Sequence, residues 1–127
     1  MGVEGKTYPA VSSVIEPERV ADFAHSIGAD LASGVPPTFA AVYSLGATAP
    51  YLFGDPDADV DFGKLLHADQ EFEWERHPQL GETVTSQGHV VSDIRRRGVR
   101  FLTFEAQTTG GDGSKICRSR TLFVIRS

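Results

Sequence analysis

Residues 32–46 read Ala-Ser-Gly-Val-Pro-Pro-Thr-Phe-Ala-Ala-Val-Tyr-Ser-Leu-Gly. Pro36 and Pro37 force an extended entry. The segment that follows, TFAAVYSLGATA, carries no charge. With Thr38 near the N-cap, it predicts a helix. Phe39, Ala40, Ala41, Val42, Tyr43, Leu45 and Ala47 make that helix apolar nearly all round, and such a helix needs other structure wrapped about it. The expectation is therefore a central helix enclosed by a sheet that curls around it.

Upstream, residues 8–15 (YPAVSSVI) are β-prone. EPERVADFAHSIG then predicts a helix over 17–27. Pro17 suits the first turn, and Glu16 and Glu18 sit near the positive end of the dipole. Val20, Phe23, Ala24 and Ile27 recur at helical spacing, and Gly28 closes the helix as its cap. The stretch ADLASGV is a loop.

Downstream, Asp55, Asp57, Asp59 and Asp61 alternate in a manner resembling the start of a calcium loop. Glycine is missing at the sixth position and glutamate at the twelfth. No metal site is expected, and the segment reads as a solvated acidic loop. From residue 65 onward the signal is strand. LLHADQEFEWERH alternates, with Ala68, Gln70, Phe72 and Trp74 on one face and His67, Asp69, Glu71 and Glu73 on the other. PQLGE is a turn, TVTSQGHVVSDI a strand, RRRG a hairpin tip, VRFLTFEAQTT a strand, GGDG a turn and KICRSRTLFVIRS the last strand. Two helices followed by four strands in a meander give an α+β class.

The chain has 127 residues, enough for one domain over 1–127. Its net charge of −5 argues against nucleic acid, which needs a basic face. The single cysteine, Cys117, excludes an intramolecular disulfide and a cysteine-built metal site, and suits a reducing compartment. The N-terminal residues contain no apolar signal core, and Lys6 stands where a myristoylation motif needs Ser or Thr. No run approaches the roughly 18 apolar residues of a membrane span. The expectation is a cytoplasmic chain with no membrane and no nucleic-acid partner.

Three motifs, Val35-Pro36-Pro37-Thr38-Phe39, Leu66-His67-Ala68-Asp69-Gln70-Glu71-Phe72 and Pro78-Gln79-Leu80-Gly81-Glu82, resemble the MaoC-like hydratase/dehydratases of the hot-dog fold. The likeness covers about residues 5–126. It is nearest to the N-terminal half-domain of the double hot-dog members and to the non-catalytic subunit of mycobacterial (3R)-hydroxyacyl-ACP dehydratase. The resemblance implies an antiparallel sheet curled about the central helix, and an acyl thioester of CoA or acyl carrier protein as ligand. It implies no further cofactor, and a homodimer or a heterodimer with a catalytic hot-dog subunit. The family reaction adds water reversibly to a 2-enoyl thioester, giving a (3R)-hydroxyacyl thioester. It needs a carboxylate and an imidazole aimed at one water. Active members hold them in an Asp-x-Asn-Pro-x-His motif between the first helix and the central one. Here that loop offers Asp30, but no Asn-Pro and no histidine from 28 to 66. The family's catalytic pair is therefore not carried over.

Among the four histidines, His25 reads as surface, His77 as a solvent-exposed turn residue and His89 as a structural strand residue. His67 and Asp69 are the catalytic candidates, because period-2 geometry places both on one face. A neighbouring carboxylate would orient the imidazole and raise its basicity. The ordinary alternative is a hydrogen-bonded pair at a strand start or a dimer contact. Phe39, Tyr43, His67 and Gln70 are the candidate substrate contacts. Asp69 and Gln70 are alternative holders of the pantetheine amides. Arg95, Arg96, Arg97 and Arg100 read either as a solvated hairpin end or as an anchor for CoA phosphates or an acidic carrier protein. Cys117 reads as a buried strand thiol, and Ser33 and Ser44 have no nucleophile-elbow context.

Three functions follow. The first is a dehydratase/hydratase subunit that binds the acyl chain but lacks the catalytic loop. The second is a hot-dog acyl-CoA thioesterase using Asp69 or Asp30 with a water. The third is a non-enzymatic homodimer that holds an acyl ligand.

Overall fold

The computed structural model describes residues 2–29 and 34–126. Strand β1 (Val11–Val14) leads into helix α1 (Pro17–Ile27), which the sequence delimits to the residue. Pro17 opens it and Gly28 ends it at φ 72°, a left-handed cap that glycine adopts without strain. Val20 and Ala24 are buried, whereas Ile27, expected on the same stripe, is 50% exposed because it lies in the last turn beyond the packed face. Phe23 packs edge-on against Phe39, with ring centroids 5.2 Å apart.

The central helix is a composite. A 3₁₀ turn (Pro37–Phe39) leads into a π turn (Ala41–Leu45) and then into helix α2 (Gly46–Phe53). Thr38 is not the cap: the helix begins one residue earlier, at Pro37, whose missing N–H needs no partner there. In the π turn the Gly46 N–H donates to the Ala41 carbonyl. A Cβ on Gly46 would lie 3.0 Å from that oxygen, so glycine allows the wide turn. The helix is not enclosed on every side. Phe39, Ala40, Tyr43, Ser44, Thr48, Ala49 and Leu52 are buried, but Ala41, Gly46, Pro50 and Tyr51 are exposed. One uncharged face thus points away from the sheet.

A 3₁₀ turn (Phe62–Lys64) introduces β2 (Leu65–Trp74). Strands β3 (Thr83–Arg96), β4 (Val99–Gly110) and β5 (Lys115–Arg126) follow. All pairings are antiparallel, in the order β1-β3-β4-β5-β2. This corrects the expected four-strand meander. Only β3, β4 and β5 are sequential neighbours, while β2 crosses to the far edge and pairs with β5. The reason is occupancy. The free side of β3 is taken by β1, with the Ile15 N–H donating to the Glu82 carbonyl and the Gly81 N–H to the Ile15 carbonyl. The PQLGE segment is therefore the end of a crossover, held by Arg76, whose guanidinium meets Glu82 at 2.5 and 2.9 Å. The β3–β4 hairpin turns at Arg97 (φ 51°) and Gly98 (φ 77°), both left-handed as a tight two-residue turn requires.

The inner face of the sheet closes on the central helix in two apolar clusters. One joins Ile15, Val20, Phe39, Tyr43, Val84 and Ile116; the other joins Tyr8, Leu52, Val90, Leu102, Phe104 and Phe123. A curled antiparallel sheet around a central helix is the hot-dog architecture expected from the resemblance.

The acidic loop is not simply solvated. The Lys6 ammonium and the Tyr8 hydroxyl both donate to Asp55, each at 2.7 Å. The ammonium, then the hydroxyl, hold that carboxyl down at about 2. Ala58 is fully buried, and its carbonyl accepts from the Arg100 guanidinium. The arginine cluster therefore divides. Arg95, Arg96 and Arg97 are exposed, whereas Arg100 is buried and grips Asp93 through two bonds of 2.8 Å.

Candidate functional site

The geometry at the start of β2 overturns the His67–Asp69 pair. A bulge falls between them: His67 pairs with Phe123 and Asp69 with Leu122, so Ala68 is the extra residue. A bulge breaks the period of two. His67 consequently shares the inner face with Phe123, their rings 5.5 Å apart, and Asp69 shares the outer face with Leu122. The same shift brings His67 to Gln70, which pairs with the fully buried Thr121.

Gln70 organises this edge. Its amide nitrogen donates to the Glu71 carbonyl at 3.2 Å. Its Oε1 accepts from the Thr121 hydroxyl at 2.5 Å and lies 3.1 Å from His67 Nε2. An amide oxygen only accepts, so Nε2 carries the proton, and Nδ1 is the ring nitrogen left for another group. His67 and Gln70 remain accessible from outside the sheet edge.

From Thr121 the inner face continues as a stripe of hydroxyls beneath the π turn. Ser86, Thr108 and Ser119 are each about 1% exposed. Ser44 donates to Ser119 at 3.1 Å, Ser86 donates to the Tyr43 carbonyl at 2.8 Å, and Ser86 meets Thr108 at 2.7 Å. Thr48 donates to the Ser44 carbonyl at 2.8 Å. Two of these bonds, from Ser86 and Thr48, reach backbone carbonyls of the π turn, and the other two join hydroxyl to hydroxyl. The sequence reading overlooked them. The signal was present in KICRSRTLFVIRS: Cys117, Ser119, Thr121, Phe123 and Ile125 share one face, and that face is the buried one.

Phe39 and Tyr43 project from the central helix into the core, 4% and 3% exposed. With Ile15, Val42 and Gly46 they line a cleft of about 250 Å³ between β1, the start of α1 and the central helix, with Glu16 and Arg19 also lining it. The Tyr43 hydroxyl is buried and has no hydrogen-bond partner among the described residues; the same is true of Trp74 Nε1. Tyr43 stands beside Cys117 and Trp74, and burial pushes its phenol well above the usual range. Burial likewise pushes the Cys117 thiol up, which suits an inert strand cysteine.

The remaining candidates are placed as follows. His25 and His77 are exposed, and His89 is half-buried on the outer face opposite Glu105. Asp30 and Ser33 lie outside the described residues. Among the described residues, no three His, Cys, Asp or Glu side chains gather as metal ligands, and no helix is long and apolar enough to cross a membrane.

Residues 32–119 match the family of the FAS1-like dehydratase domain region. A UPF0336 protein of Saccharopolyspora erythraea is 33% identical over 91 residues, which is 72% of this chain and 58% of that protein. The chain thus spans under two thirds of this curated relative's length. Among solved structures, the C-terminally truncated HadBC (3R-hydroxyacyl-ACP dehydratase) complex of Mycobacterium tuberculosis superposes with a TM-score of 0.76 at 20% identity, over 98% of both chains. A MaoC-like dehydratase reaches 0.81 at 17% identity, covering 98% of this chain and 42% of that one. These superpositions show the hot-dog fold, and the match over 88 of 127 residues (32 through 119) shows the kinship. The chain belongs to the FAS1-like dehydratase domain family of MaoC-like hot-dog proteins.

Proposed function

We propose that this chain is the acyl-binding half of a (3R)-hydroxyacyl-thioester dehydratase, working in reverse as an enoyl-thioester hydratase, and that a second hot-dog chain supplies the acid–base pair. The observation that carries this reading is the separation of His67 from Asp69. Hydration needs a carboxylate and an imidazole aimed at one water. His67 instead faces an amide, and its nearest candidate carboxylate points to the other side of the sheet.

Partnership is supported by two features. Strand β2, which carries His67 and Gln70, is an edge strand with one side of its backbone unpaired among the described residues. The outward face of the central helix is uncharged and uncovered. A hot-dog partner seated along β2 would place its own residues beside His67 Nδ1. Phe39 and Tyr43 would contact the apolar part of the ligand, while His67 and Gln70 would meet its thioester end. The carrier is CoA or an acyl carrier protein, and the setting is the cytoplasm.

The test is hydration of crotonyl-CoA by the purified chain, followed as loss of enoyl absorbance. The expected result is binding without turnover. Turnover that disappears in His67→Ala would overturn the reading, because the chain would then hold a complete catalytic site of its own.

A further inference from the structure

The outer face of the sheet carries a second feature that the acyl site does not use. Cross-strand pairing aligns Leu66, Val124, Phe101 and Ile94 in one row over β2, β5, β4 and β3. Leu66 is 63% exposed, Ile94 44% and Phe101 37%. The next row toward the hairpin end is Arg126, Val99 and Arg96, with Arg97 at the tip. This is an apolar stripe with a basic border on a chain of net charge −5.

Lys6, Arg76, Arg100 and Arg118 are each ion-paired within the chain. Arg96, Arg97 and Arg126 are exposed and form no ion pair among the described residues. Among the described residues Arg19, Lys64, Arg95, Lys115 and Arg120 are also free of ion pairs, so the border cations are distinguished by their place beside the apolar row. Uncompensated charge beside exposed apolar surface is poorly explained by solubility alone. It matches an interface in which burial gives affinity and the charged rim selects a partner of opposite sign.

The dimensions favour a helix. Three strand spacings of about 4.8 Å make the row about 14 Å long. A helix rising 1.5 Å per residue covers that distance with about nine residues, presenting apolar side chains at i, i+3 or i+4, and i+7. Acidic residues beside that stripe would meet Arg96, Arg97 and Arg126.

The geometry points to a docking surface for an acidic amphipathic helix on the carrier protein that brings the acyl thioester. This rests on the acyl-thioester reading above and deepens it: the substrate is delivered on a protein rather than on CoA. Leu66, at the end of the row, directly precedes His67 in β2, so a carrier seated here lies beside the edge where the thioester is to enter.

The experiment compares two probes, crotonyl-CoA and an acidic acyl carrier protein bearing a crotonyl group. Each is titrated into the wild-type chain, the double variant Arg96→Glu/Arg97→Glu, and Phe101→Ser. The expected result is at least a tenfold loss of carrier-protein affinity in both variants. Wild-type carrier affinity falls with added salt, while crotonyl-CoA affinity stays within twofold throughout. Carrier binding that is unchanged in both variants overturns the proposal, as does a matching loss of crotonyl-CoA affinity. Wild-type binding of crotonyl-CoA but not of the carrier overturns the docking surface alone. Binding of neither probe overturns both the docking surface and the acyl-thioester reading. A shift in sedimentation for Phe101→Ser with carrier binding intact overturns it too, because a second copy of the chain then covers the row.

Discussion

Replacing Tyr43 with phenylalanine should make this protein more stable and a worse binder. The side chain is 3% exposed, and its hydroxyl has no hydrogen-bond partner among the described residues. A buried, unsatisfied polar group costs about 1–3 kcal/mol relative to a satisfied one. Tyr43→Phe removes that oxygen and keeps the ring against Phe39, whose centroid lies 6.3 Å away. The void left is smaller than a methyl group, so the cavity penalty is well under the ~1 kcal/mol of a lost methylene. The balance is a gain of about 1 kcal/mol. With a urea m-value of about 2 kcal/mol/M, the midpoint should rise by about 0.5 M at unchanged slope. Equilibrium urea unfolding followed by Trp74 fluorescence reads this directly. If the hydroxyl serves the acyl ligand, crotonyl-CoA affinity should fall about fivefold in the same variant, close to the worth of one hydrogen bond. A midpoint that drops by 0.5 M or more would refute the reasoning, because the hydroxyl would then have a partner inside the protein.

Arg100→Met leaves Asp93, whose side chain is fully buried, without its partner and should cost about 3–5 kcal/mol in urea unfolding. The Arg100 guanidinium, ahead of the Val3 N–H, holds the Asp93 carboxyl below its usual range. Its contribution is therefore present above the unfolded-state pKa of about 3.9 and is lost as pH falls through the lower folded value. Asp93→Asn should accordingly flatten the acid limb of a stability-versus-pH curve measured by thermal melting. Gly46→Ala, which in an ordinary helix gains about 1 kcal/mol, should instead lower the melting temperature, since the new Cβ meets the Ala41 carbonyl at 3.0 Å. Cys117 should resist a thiol reagent at pH 8 in the folded protein and react fully in urea, as its burial and raised pKa require. Deleting Ala68 should remove the bulge and leave His67 opposite Phe123 and Asp69 opposite Leu122, so that crotonyl-CoA affinity and the fold, read by circular dichroism, both persist.

Local chemistry made much of this fold legible. Pro17 and Gly28 mark both ends of α1 because each acts within one turn of itself. Alternation over β3, β4 and β5, with Arg97-Gly98 between the first two, marks the three sequential strands. Non-local choices left no such mark. Nothing in residues 78–82 shows that β3 is already occupied by β1, which sends β2 to the other edge. Alanine is no bulge signal, so the break at Ala68 was hidden, and with it the separation of His67 from Asp69. Arg100 looks like its neighbours in sequence, and Asp93, seven residues back across a hairpin, draws it inside together with the Ala58 and Asp59 carbonyls. The expected contacts Phe39, Tyr43, His67 and Gln70 occupy two regions, a helix-side cleft and a sheet edge. The hydroxyls between them went unread because serine and threonine on a core-facing strand resemble surface residues in composition.

The bulge also has a consequence for how such chains diverge. Side-chain direction in β2 is set by pairing register, so whether a bulge absorbs the extra residue decides which groups face the ligand side while every letter nearby stays the same. An imidazole can be brought in or turned out by the presence or absence of the bulge alone. Two relatives with identical residues around His67 can then differ in the chemistry of their inner face, and a comparison that scores identity position by position would rank them as equals.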